Sequence, residues 1–181
     1  EFKNKELYSA KYMQILFYLN KWDEFKTFSI SFLKKDIKEN KYYNDALKIS
    51  SYLLLFNNDV ENLDKYAKSY FKNFQNKRVE SIEILNSMNT SSNIQIKNKI
   101  DYDLCILHLK QGDYRQAIDI LDAINFESAY IESAYLTKAE IYDYILNDKS
   151  KAVDIYLYIL DTFPNSIHYE SIRVRLRELT S

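Results

Sequence analysis

One glycine and one proline in 181 residues leave this chain almost without the residues that make tight turns. A sandwich or barrel needs a turn roughly every 8–12 residues and draws on glycine and proline to build them. The scarcity argues against a many-stranded β fold and for helices joined at a few well-placed breaks. Hydrophobic residues make up 46% of the chain and charged residues 28%. That balance suits a folded protein able to bury a substantial core and argues against a disordered one.

The lone glycine lies in KQGDYRQAIDIL, Lys110 to Leu121. Before it, Leu104, Cys105, Leu107 and His108 recur at helical spacing over Asn98–Gln111; after it, Ala117, Ile120, Leu121 and Ile124 fall on one face. Gly112 suits the left-handed position that ends a helix, Asp113 is placed to cap the next, and Gln116 completes the spacing of a capping box. The stretch reads as a helical hairpin. The pattern returns from Ser133, with Ala139 and Tyr142 in a first helix, Asn147-Asp148 at the turn, then Ala152, Tyr156 and Ile159 before Pro164. Ala117 and Ala152 stand 35 positions apart.

Asparagine tolerates positive φ better than other non-glycine residues, so it can punctuate where glycine is missing. Asn20, Asn40, Asn57, Asn58, Asn76, Asn89 and Asn147 mark the expected breaks. They bound helices at Tyr42–Phe56, Val60–Phe74 and Arg78–Met88, with Asn89–Asn93 as the clearest loop. A last helix, Ile167–Leu179, sets Ile172, Leu176 and Leu179 on one side and charge elsewhere. Tyr66, Tyr70 and Phe74 form a ladder that is expected to face the core, since the opposite register would bury Lys65, Lys68 and Lys72.

A helix-turn-helix unit of about 34 residues is the period of the tetratricopeptide repeat. The chain resembles that family through Gly112, Tyr114, Ala117 and Leu121, and through Ala139, Tyr142, Ala152, Tyr156 and Thr162–Ser166. In YLNKWDEFKTFSISFL, Asn20, Trp22 and Phe25 stand where glycine, tyrosine and alanine would. The resemblance implies an all-α fold, a right-handed α-solenoid of about ten helices closed by a capping helix. A single domain spanning 1–181 is expected, with degenerate repeats at 1–75, clearer ones at 76–131 and 132–166, and the cap at 167–181. Because the chain opens on Glu1, it is expected to be one module of a longer protein. FPNS-like turns are common in bacterial cell-envelope assembly and scaffold members of the family; the resemblance leaves the compartment open and favours the bacterial periplasm or cell envelope over the cytoplasm.

Catalysis is not expected. One glycine cannot build a phosphate cradle, and His108 and His168 are 60 positions apart. Cys105 and His108 share their face with Leu104 and Leu107, which fits core packing. No metal or other cofactor is expected. The 25 basic and 26 acidic residues nearly cancel, so no field collects nucleic acid. Arg173, Arg175 and Arg177 sit near a helix C-terminus, where the dipole favours cations. No apolar run is long enough to span a bilayer.

The family resemblance implies a groove lined by the first helices of successive hairpins. Its candidate residues here are Tyr102, Ile106 and Leu109, then Leu136, Glu140, Asp143 and Tyr144. The expected function is a non-enzymatic scaffold or adaptor that holds a protein or peptide on the concave surface. The alternative is a peptide-sensing regulatory domain coupled to an effector. The family's carboxylate clamp is unmatched: Ala10 and Gln14 stand at two of its positions in the first unit, and Tyr102 and Ile106 replace them in the third.

Overall fold

The computed structural model describes residues 5–34, 40–57, 59–88, 93–125 and 127–181. Among the described residues the chain is all helix, with no strand. The elements are α1 (Lys5–Tyr18), α2 (Trp22–Leu33), α3 (Tyr43–Phe56), α4 (Val60–Phe74), α5 (Arg78–Asn86), α6 (Ile94–Gln111) and α7 (Tyr114–Asp122). Then come α8 (Ile131–Glu140), a π-helical turn (Ile141–Ile145), α9 (Lys149–Thr162) and α10 (Tyr169–Thr180). They form two compact units, residues 1–92 and 93–181.

The breaks follow the asparagine reading closely. Asn20, Asn57, Asn76 and Asn147 adopt φ of 55°, 46°, 60° and 54°, and Gly112 adopts 85°. Three of these turns share one hydrogen-bond pattern. The Gly112 N–H reaches the Leu109 carbonyl and the Asp113 N–H the His108 carbonyl; Asn20-Lys21 and Asn76-Lys77 repeat the pair. This double bond satisfies carbonyls that a helix end would otherwise leave open. Asn40 instead works at a helix entrance, its Oδ1 accepting the Tyr42 N–H. Asn58 and Asn89 lie outside the described residues, as does the expected loop up to its last residue, Asn93.

The capping box expected at Asp113 does not form. Asp113 holds the N-cap position, but its carboxylate accepts no N–H from α7; it lies 3.5 Å from His108 Nδ1 instead. Side-chain caps occur at Asp59, Asn93 and Asp148. Asn93 starts α6 a turn earlier than the apolar periodicity alone indicates.

In the first unit the core is aromatic. Phe17 of α1 is fully buried, and its ring lies 5.5 Å from Trp22, 5.8 Å from Phe25, 5.9 Å from Tyr52 and 6.0 Å from Tyr70. One side chain thus ties α1 to α2, α3 and α4 through edge and tilted ring contacts. Tyr66 is buried, Tyr70 half-buried and Phe74 exposed, so the ladder enters the core from one end. Lys65 pairs with Glu61 and Lys72 with Glu80, outside that core. Helix α5 packs on α4, where the buried Ser69 and Ser81 bond each other's hydroxyls and carbonyls.

In the second unit, α6 pairs with α7 and α8 with α9, and α10 covers α9. Ala117, Ala139 and Ala152 are fully buried, small residues that let the helices approach closely. Ile172 and Leu176 of α10 join Ala139, Ala152, Tyr156 and Ile159 in one cluster. Leu179 packs at its edge, as a cap requires.

Candidate protein-binding site

The spacing of 35 between Ala117 and Ala152 is one residue longer than the usual period, and the extra residue has a definite place. After α8 the Leu146 N–H bonds the Ile141 carbonyl and the Asp148 N–H bonds the Tyr142 carbonyl. Each ring is wider than at the Gly112 turn, and the helix passes through a π turn at Ile141–Ile145. An inserted residue absorbed in this way re-aims the side chains around it.

Asp143, expected to face a ligand, turns inward at this point and is 4% exposed. Arg175 of α10 grips it with two bonds, Nε to Oδ2 at 2.8 Å and Nη2 to Oδ1 at 2.7 Å. The Tyr156 hydroxyl donates to Oδ2 at 3.2 Å. A bidentate, charge-assisted pair of this kind holds both groups in a fixed plane. The bonds and charge of Arg175 depress the carboxyl pKa of Asp143 below its ordinary value. Burial, then the nearby Asp143, pushes the Tyr156 hydroxyl up. Arg175 also donates from Nη1 to Glu178 at 2.8 Å. Its guanidinium lies 4.8 Å from the centre of the Tyr144 ring.

Tyr144 itself is 60% exposed, and Ile145 and Leu146 beside it are exposed as well. Glu140, one turn earlier, is on the open side. Desolvation raises its carboxyl pKa; His168 opposes the rise and Asp143 adds to it. The other candidates are more enclosed. Tyr102 is half-buried, stacks on Tyr130 at 5.5 Å and brings its hydroxyl within 3.4 Å of the Thr137 hydroxyl on α8. Tyr102 and Leu109 pack against the cluster of Cys105, Ala117 and Leu121. Leu136 packs against that of Ala139 and Tyr156, and Ile106 is half-buried.

The structure therefore gathers Glu140, Asp143 and Tyr144 around the π turn and joins Tyr102 to α8 through Thr137. It adds Arg175, Ile145 and Leu146, which the sequence reading missed. Arg175 is 32 residues from its carboxylate, and a bond over that separation has no local signal. Exposure of Ile145 and Leu146 follows from the π turn, whose only trace in the sequence is the extra residue.

Cys105 is fully buried, and burial pushes its thiol up to about 12, which keeps it protonated. Among the described residues no three His, Cys, Asp or Glu side chains could hold a metal ion. No described helix is long and apolar enough to cross a membrane.

Residues 133–166 match the tetratricopeptide repeat family. That segment runs from α8 through the π turn and α9 to the turn before α10. No curated protein and no solved structure matches the chain. Residues 133–166 thus carry one tetratricopeptide repeat. The repeat is a protein–protein interaction module and generally a non-enzymatic one, so the partners it points to are proteins.

Proposed function

We propose that the chain is a non-enzymatic scaffold or adaptor that holds a protein or peptide partner on the face carrying Tyr144 and Glu140. Tyr102, Ile106, Leu109 and Leu136 form the packed support behind that face. The observation that carries the reading is the exposed run Tyr144, Ile145 and Leu146, next to the fixed guanidinium of Arg175. Consecutive exposed apolar side chains are costly to leave in water and mark contact surfaces. A tyrosine held rigid by a cation loses little entropy on binding, which suits it as an anchor. Asp143 serves as the internal tether that sets Arg175 and, through it, Tyr144.

The test is affinity capture from source cells with the wild-type chain, a Tyr144→Ser variant and a Tyr102→Ser variant, each checked by circular dichroism. Tyr144→Ser should lose the partner with its helicity intact. Tyr102→Ser should lose stability first. Capture undiminished by Tyr144→Ser would refute the assignment of this face.

A further inference from the structure

We propose that a second surface, the groove between α2 and α3 in the first unit, receives an acidic amphipathic helix of a partner protein, about three turns long. This goes beyond the proposed function, sharing only the premise that the chain binds proteins. The groove encloses about 440 Å³ and is walled by Phe25, Ile30 and Leu33 of α2, Leu53 and Leu54 of α3, and Val60 of α4. Its rim is apolar and open: Leu54 is 83% exposed, Val60 51% and Ile30 50%. Trp22 closes one end, its Nε1 donating to Asp64 at 2.8 Å.

Length and charge define the occupant. The lining positions on α2 run from Trp22 to Leu33, a wall of about 16 Å at 1.5 Å per residue. A helix of three turns matches that wall, with apolar anchors at i, i+3/i+4 and i+7. Among the described residues no aspartate or glutamate lines the groove, and Lys26 is the one charged residue that does. Lys34, the residue that ends the same helix, follows two turns later, and among the described residues neither lysine has an ion-pair partner. Residues 1–92 carry 15 basic against 12 acidic side chains, a net charge of the same sign. A wholly apolar occupant would strip water from Lys26 without replacing it; a carboxylate beside the apolar stripe removes that penalty. A second copy of this chain fits less well. The exposed stripe Tyr8, Tyr12, Ile15 and Leu19 on α1 is flanked by Lys5 and Lys11, which would meet like charge.

The experiment is fluorescence anisotropy on the whole chain with two labelled helical peptides. Both carry leucines at i, i+3, i+7 and i+11; one has glutamates along one edge and the other lysines. The glutamate peptide should bind at least about tenfold more tightly than the lysine peptide. Lys26→Glu, paired with Lys34→Glu, should reverse that preference. Leu54→Ser should weaken the glutamate peptide about fivefold or more, with circular dichroism unchanged. Tyr144→Ser should leave the peptide affinity as it was, so this surface and the π-turn face fail or stand separately. The proposal is overturned by equal affinity for the two peptides, by no binding up to about 1 mM, or by indifference to Lys26→Glu and Leu54→Ser. Sedimentation of the chain alone showing self-association that Leu54→Ser abolishes would overturn it too, by placing a second copy in the groove.

Discussion

At the scale of single residues, the chain replaces glycine with asparagine at its left-handed turns. Gly112 sits at φ 85° with nothing within 4 Å of where a Cβ would lie. Gly112→Ala should therefore lower unfolding stability by about 1 kcal/mol, from backbone strain alone. Asn76→Gly should not lower it, because glycine adopts the same φ with less strain. Urea unfolding of the two variants checks both. Asp143 carries a pH signature. Its folded pKa is lowered, so its contribution is complete above the unfolded value of about 4 and is lost as pH falls through the folded one. Arg175→Met should drop the urea midpoint at pH 7, and the gap to wild type should close under acid. A gap that persists at low pH would mean that Arg175 acts through packing. The asparagine turns were legible because φ preference is a property of the residue. The Asp113 cap misled because a carboxylate at a helix entrance need not turn to the backbone, and here it lies 3.5 Å from His108 Nδ1.

At the scale of elements, helix type and order were readable from apolar period and punctuation. The π turn was readable only as a spacing one residue too long. Asp143 lies within that turn, buried and bonded to Arg175, where it was expected to face a ligand. The α4–α5 crossing shows another non-local feature. Ser69 and Ser81 are 2% and 1% exposed and bond each other across it. Ser69→Ala alone should cost about 1–3 kcal/mol, since it strands a buried partner. The double variant Ser69→Ala/Ser81→Ala should cost clearly less than the sum of the two singles, as a double-mutant cycle in urea would show.

At the scale of the whole molecule, a near-neutral chain with large aromatic cores and almost no glycine is suited to presenting rigid surfaces. The repeat at residues 133–166 was legible from the 35-residue spacing and the small crossing residues. Of the residues in the proposed face, Glu140 and Tyr144 are open to solvent, whereas Tyr102 and Leu109 pack against the core. The central claim is that the face at Tyr144, fixed by Arg175 on Asp143, holds a protein. A photo-crosslinking amino acid at position 144, compared with one at exposed Lys68 on α4, tests it most directly. A discrete protein adduct is expected from position 144, none from position 68, and loss of the adduct in the Arg175→Met background with the fold retained. No adduct from position 144, or the same adducts from both positions, would contradict it.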